Sequence, residues 1–195
     1  MYEVEVKLAA DHDAIRARLS EIGAESLETV TQHDTYYDAP HREFAETDEA
    51  LRIRRVAHTD AAEHDDTGAV EDGHASPETL VTYKGPLVDA DSKTRREHET
   101  GVDDDETMDA ILRAVGFEPA AVVEKRRERF RLDEYTVTLD AVTDLGEYVE
   151  VETESTDIDG AREGAFELVR DLGLDPTDQI RTSYLGLLLG RAADE

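Results

Sequence analysis

Acidic and basic side chains recur at every second position in several short stretches of this chain, the spacing that gathers them on one face of a strand. Glu3, Glu5 and Lys7 make the first such row; Arg52 with Arg54, and Thr82 with Lys84, make two more. Lys93, Arg95, Glu97 and Glu99 follow, then a wholly basic row of Lys125, Arg127, Arg129 and Arg131. Thr138 with Asp140, and then Glu150, Glu152 and Glu154, complete the set, while Gln32, Asp34 and Tyr36 form a polar row of the same period. Guanidinium forks match phosphate oxygens two at a time, and lysine supplies a point charge. The carboxylate rows would repel the same polyanion unless hard divalent cations lay between, as Mg²⁺ does when it takes one or two carboxylates together with substrate phosphates. Brought together, the rows predict a metal-triphosphate or similar ligand.

The rows need strands to present them. Alternation and turn signals predict strands over residues 2–8, 28–38, 50–56, 80–84, 91–100, 121–132, 135–142 and 148–153. Asp11 can cap a helix running to Ile22 and stopped by Gly23, Asp104–Val115 reads as a helix stopped by Gly116, and Asp159–Asp171 as another. A last apolar segment covers Tyr184–Leu189. Strands and helices do not alternate strictly, so the expected class is α+β with a mostly antiparallel sheet.

Any one charged row could face water, as one side of an antiparallel sheet commonly does. The set reads differently. The helices must pack on something, and Val4, Val6, Ile53, Val81, Val137, Leu139, Val149 and Val151, which lie between the charges, offer the face for it. The opposite face carries most of the scarce cations of an acidic chain. If about eight strands curl with that face inside, the interior is wide enough for a ligand, and its buried cations need anionic partners.

The formal charge is −28, from 49 acidic and 21 basic residues, and only Lys7, Lys84, Lys93 and Lys125 are lysines. Such a surface repels nucleic acid and anionic membranes, and suits very high salt, where repulsion among surface carboxylates is screened. With no cysteine, no basic-then-apolar leader and no 18-residue apolar run, the sequence leads us to expect a cytoplasmic protein of a salt-loving organism that binds neither nucleic acid nor membrane. Residues 57–78 hold no Lys or Arg and show no apolar period, which reads as a mobile acidic insertion in an otherwise single domain spanning 1–195.

Glu3-x-Glu5-x-Lys7 resembles the N-terminal signature of the CYTH domain, the superfamily of triphosphate tunnel metalloenzymes. Gln32–Asp38, Ala50–Arg54, Thr82–Pro86, Arg95–Glu99, Val123–Arg127, Leu139-Asp140, Glu150–Glu152 and Ser183–Leu185 follow in order and resemble its class IV adenylate cyclase-like (CyaB-like) branch, which together with the acidity points to a halophilic archaeon. The resemblance implies an eight-stranded antiparallel β-barrel with flanking helices, possibly homodimeric, that binds a triphosphate such as ATP with two Mg²⁺ or Mn²⁺ ions. Glu3, Glu5, Asp140, Glu150 and Glu152 would then line the metal side, with Glu5 and Glu152 foremost. Lys7, Arg52, Arg54, Lys84, Arg95, Lys125, Arg127 and Arg181 would hold phosphates, Arg181 being the least regular match to the family pattern. Glu5, Lys7, Lys125 and Glu152 are the expected catalytic groups. The implied activity is ATP cyclisation to cyclic AMP and pyrophosphate; hydrolysis of inorganic, thiamine or nucleoside triphosphate is the alternative, and simple nucleotide or polyphosphate binding the third reading. Arg55, Arg96 and Arg126 fall out of phase and are expected outside, paired with surface acids.

Overall fold

The computed structural model describes residues 1–58 and 78–193. Nine strands and five α-helices follow one another in the order β1 (Tyr2–Ala9), α1 (His12–Glu21), β2 (Glu25–Asp38), α2 (Phe44–Thr47), β3 (Ala50–His58), β4 (Glu78–Lys84), β5 (Lys93–Arg95), β6 (Glu97–Val102), α3 (Asp105–Ala114), β7 (Glu118–Leu132), β8 (Tyr135–Val142), β9 (Gly146–Ser155), α4 (Ile158–Asp171) and α5 (Tyr184–Ala193). The expected insertion is shortened at both ends, since Ala57 and His58 complete β3 and Glu78 opens β4; its remainder, 59–77, lies outside the described residues. No described helix is long and apolar enough to cross a membrane.

All strands join one antiparallel sheet in the order β5-β1-β9-β8-β7-β2-β3-β4-β6. The sequence predicts eight strands because Asp91–Thr100 alternates as one. In the structure that stretch breaks at Arg96, whose carbonyl accepts the Gly85 amide at 2.8 Å. Its first part pairs with β1 (Glu3 opposite Arg95, Glu5 opposite Lys93), and its second with β4 (Lys84 opposite Glu97, Thr82 opposite Glu99). Two consecutive strands thus occupy opposite edges of the sheet, and the sheet curls into a nearly closed barrel. Closure in this way removes free edges that would otherwise invite pairing with other chains.

The apolar positions face outward, under helices. Val6 and Leu8 of β1 join Phe130, Val137, Leu139, Val149 and Val151 of β7–β9 against Ile15 and Leu19 of α1 and Ala165, Leu168, Val169 and Leu172 of α4. Each fully buried Val or Leu of this layer is worth roughly 1.5–3 kcal/mol relative to exposure. A second layer sets Tyr37 and Ile53 against Leu112 of α3. Asp11, Asp104 and Asp157 cap α1, α3 and α4 by accepting backbone N–H groups at 2.9–3.1 Å. Gly23 (φ 80°) and Gly173 (φ 83°) leave α1 and α4 through the left-handed region that glycine enters without steric cost. α2 has only four residues and no period to read, so the sequence gives no sign of it. α5 is the helical form of the final apolar segment; Tyr184 at its start packs with Tyr36, Val123, Val142 and Tyr148 and covers one end of the barrel.

Candidate functional site

With the apolar faces turned out, the charged rows meet inside, around a cavity of about 1060 Å³. All four lysines of the chain line it, so none remains for the outer surface. Glu3, Glu5, Glu150 and Glu152 line it too, as do Arg52, Arg54, Arg95 and Arg127.

The basic side is fixed by carboxylates behind it. Asp140 on β8 is fully buried; it accepts Lys125 Nζ at 3.0 Å and the Nε and Nη2 of Arg127 at 2.6 Å each. Burial opposes its ionisation, but Arg127 and Lys125 outweigh that and hold its carboxyl well below the usual range. Arg127 also reaches Glu150, which despite burial is pushed down to about 2 by Arg127, with Lys125 and Lys7 assisting. On β2, the strand paired with β7, Asp34 takes Arg54 in a bidentate pair at 2.7 and 2.6 Å and a longer contact of 3.4 Å from Arg52. Lys84 sits between Glu3 (3.1 Å) and Glu97 (2.7 Å), and Arg95 grips the carbonyl and carboxylate of Asp48 just past α2. Lys7 donates to the Thr182 carbonyl at 2.6 Å and lies 4.2 Å from the centre of the Tyr184 ring, with Lys125 at 5.0 Å from the same ring. Those distances are in the range where an ammonium is attracted to an aromatic face.

The acidic side is organised by register. Glu5 and Glu152 are directly opposite on β1 and β9, with Glu3 facing Glu154 and Lys7 facing Glu150. Burial pushes the Glu152 carboxyl up to about 7; Arg127 opposes this, while Glu3, Glu150 and Glu5 add to it. Burial likewise raises Glu3. Glu5 is buried, and its Oε1 has no hydrogen-bond partner among the described residues. A crowd of hard carboxylate oxygens, one of them orphaned and another inclined to keep its proton, is a donor set suited to a divalent cation. No three acidic or imidazole groups converge closely enough to hold an ion alone among the described residues. An ion here would complete its shell with ligand oxygens, the usual arrangement for Mg²⁺ on phosphates.

Two of the expected site residues lie elsewhere. Asp140 stands behind Lys125 and Arg127 with both oxygens engaged, holding cations rather than bordering the cavity. Arg181 is exposed and donates to the Asp89 carbonyl at 3.2 Å, away from the lining, because the chain between Pro176 and Ser183 turns its side chain outward. Of the out-of-phase arginines, Arg55 pairs with Asp105 and Arg126 with Glu128 as expected, but Arg96 lies against the Tyr2 ring instead of an acid. Lys93 and Glu97 of the lining, Asp34 behind it in the same way as Asp140, and Tyr184 of the lining were not assigned to the site. The first three were visible as members of alternating rows, whereas nothing in the spacing of Tyr184 marks it.

The profile of the CYTH domain matches residues 1–184. A Methanocaldococcus jannaschii protein named "Putative adenylate cyclase MJ0240" is 34% identical over 191 residues, 96% of this chain and 98% of that one. The structure of the PH1819 protein from Pyrococcus horikoshii superposes with a TM-score of 0.82 at 36% identity, covering 97% of this chain and 99% of that one. A Hippeastrum protein, HpAC1, described as having a dominant triphosphatase activity, shares the fold at 16% identity with a TM-score of 0.63 over 98% of this chain and 95% of its own. A barrel turned charged-side in, and a likeness that runs the length of the chain in both sequence and structure, make this protein a member of the CYTH domain family.

Proposed function

We propose that the protein is a divalent-metal-dependent enzyme acting on a triphosphate, and that its reaction is cyclisation of ATP to cyclic AMP and pyrophosphate. The observation that carries this reading is the gathering of every lysine and five arginines around a cavity that also holds opposed carboxylates on β1 and β9. The name carried by the Methanocaldococcus relative supports the cyclase assignment.

In that reaction the ribose 3′ oxygen attacks the α-phosphorus, its proton passing to solvent, the bond from that phosphorus to the β-bridging oxygen breaks, and pyrophosphate leaves with the electron pair. Two Mg²⁺ or Mn²⁺ ions held by Glu5 and Glu152, with Glu3 and Glu150 beside them, would lower the pKa of the attacking hydroxyl and offset phosphate charge when bound. The chain's own groups do the rest. Lys84, Arg52, Arg54, Arg95 and Arg127 hold non-reacting phosphate oxygens, and their carboxylate partners keep each fork aimed before the ligand arrives. Lys7 and Lys125, fixed against Tyr184 at the covered end, supply positive charge toward which the leaving oxygens can build negative charge. Glu152, raised to about 7 chiefly by burial, would be one of the residues to hold a cation, and its carboxylate form would be the one available as pH rises through that value.

A second reading, triphosphate hydrolysis, is favoured by one observation: the ring of Tyr184, which lines the cavity, already lies beneath two ammonium groups, so that face is not offered to a purine. The activity described for HpAC1 points the same way. Incubation with ATP and Mg²⁺ or Mn²⁺ at molar salt, with cyclic AMP and pyrophosphate resolved from ADP and orthophosphate, separates the two. Cyclic AMP is the expected product. Orthophosphate alone transfers the assignment to hydrolysis, and no product from ATP or tripolyphosphate with either metal overturns the enzyme reading.

A further inference from the structure

Not every inward position of the barrel is ionic. Val30 on β2, Val56 on β3 and Leu80 on β4 line the cavity from three neighbouring strands. Val30 is opposite His58 and Leu80 is opposite Arg54, which makes Val56 the diagonal neighbour of both and the three a continuous strip. Val30 and Val56 are 2% and 5% exposed, yet neither they nor Leu80 belong to the apolar layers under the helices or at the covered end. The strip adjoins the basic wall directly, with Arg127 opposite Val30 and Arg54 opposite Leu80. Glu28, His58 and Glu78, farther along the same strands, return the lining to polar groups.

Gln32 stands at the border between the two. It is opposite Val56 on one side and Lys125 on the other, is 6% exposed and lines the cavity. Its Oε1 is buried and has no hydrogen-bond partner among the described residues. The neighbouring donors do not serve it, because Lys125 is held by Asp140 and Arg54 by Asp34. A buried acceptor left this way destabilises the fold until something donates to it. Phosphate oxygens are themselves acceptors and cannot; an N–H of a ring or an O–H of a sugar can.

We propose that Val30, Val56 and Leu80, with the Gln32 amide at their edge, form the subsite for the base of a nucleoside triphosphate. The proposal rests on the triphosphate reading above and names the part of the substrate that the ionic groups do not address. A phosphate chain with its cations is hydrated and gains nothing from aliphatic surface, whereas a flat ring laid on that surface leaves water. An apolar wall with a few placed polar groups is the usual make-up of a site for such a ring. Inward residues along a strand are about 7 Å apart, two residues at roughly 3.4 Å each, so one step leads from the cations beside Gln32 to the strip. That step leaves room for the sugar. On β2 the inward order from the covered end is Tyr36, Asp34, Gln32, Val30, so the base lies on the side of the phosphates away from the occupied Tyr184 ring.

The test compares three ligands that differ only in what they carry beyond the phosphates: tripolyphosphate, ribose 5-triphosphate and ATP, each titrated by calorimetry in the presence of Ca²⁺. Val30→Thr with Val56→Thr keeps the branched shape and adds hydroxyls to the strip. Its affinity for ATP is expected to fall at least about tenfold, the lower end of what a small change in an apolar pocket is worth. Tripolyphosphate and ribose 5-triphosphate should stay within about twofold of wild type, and the first also shows that the tunnel is intact. Leu80→Asn, at a half-buried position, repeats the test should the double variant fail to fold. Gln32→Met, of the same length without the amide, should weaken ATP and leave tripolyphosphate unchanged. An unchanged ATP affinity in the strip variants refutes the subsite. Equal losses for ATP and tripolyphosphate also refute it, since the strip would then serve the barrel, and equal losses for ATP and ribose 5-triphosphate would place the contact on the sugar instead of the base. Wild type that binds tripolyphosphate but not ATP removes the base subsite and leaves the triphosphate reading standing; wild type that binds none of the three overturns both.

Discussion

Glu5→Gln and Glu152→Gln are each expected to lower metal-dependent turnover by roughly 10³-fold, the scale seen when one pre-organised electrostatic contact to the reacting centre is removed. The two carboxylates face each other across β1 and β9, so either substitution takes a hard anionic oxygen from the same locus. The amide is nearly isosteric, which leaves the strands alone. Stability supplies the control. Glu152 is raised from its ordinary 4.5 to about 7, by burial first and by Glu3, Glu150 and Glu5 after the opposing Arg127. A carboxyl raised in the folded state favours folding fully below 4.5 and loses that contribution as pH climbs through 7. Glu152→Gln should therefore abolish this fall, and melt at or above wild type at pH 8. Arg55→Ala, which only opens a partly exposed pair with Asp105, should keep turnover within about twofold. Equal losses in Arg55→Ala and the two glutamate variants, measured as product per enzyme under saturating Mn²⁺, would remove the distinction between inner and outer faces.

Asp140→Asn is expected to act on the fold instead. Its carboxylate has no exposure and is the shared counter-ion of Lys125 and Arg127. Breaking such a buried arrangement from one side costs about 3–5 kcal/mol, because the remaining charges stay buried. For a domain of this size that is a drop in melting temperature of roughly 6–20 °C. The sign with pH is opposite to that of Glu152. A carboxyl held below its ordinary 3.8 stabilises the fold above that value and loses the contribution as pH falls further, so wild type should lose stability on the acid side where Asp140→Asn does not. Tripolyphosphate should raise the melting temperature of the variant more than that of wild type, since its oxygens restore negative charge beside Arg127. A variant that melts within about 2 °C of wild type by calorimetry would show that the cations do not depend on Asp140.

The difference between these two carboxylates marks where sequence reading stops. Period-two alternation assigned both to an inner face, and helices needing an apolar surface implied that the charged side was the inside. The fold therefore followed from local patterns, with strand ends displaced by a few residues. What alternation could not supply was depth along the barrel and the partner each charge would find. Asp140 lies behind two cations because β8 runs between β7 and β9, a neighbourhood set by pairing between distant segments. Lys93 was legible as one member of a row, but its place opposite Glu5 depends on the pairing of β5 with β1. Arg96 interrupts that row through a contact with the Gly85 amide, and no local signal separates it from a continuing strand. Tyr184 enters the site only when the C-terminal segment folds back over Lys7, a bond between residues 175 positions apart.

Because Lys7, Lys84, Lys93 and Lys125 are the only lysines and all line the cavity, acylation of side-chain amines reports on the tunnel alone. The most direct measurement is therefore site-resolved lysine acylation, followed by mass spectrometry, with and without saturating tripolyphosphate and Mg²⁺. Occupation of the tunnel by the polyanion predicts strong protection of all four lysines. Lysine labelling unchanged by a saturating ligand would contradict the account, because it would place the polyanion outside the cavity that the lysines line.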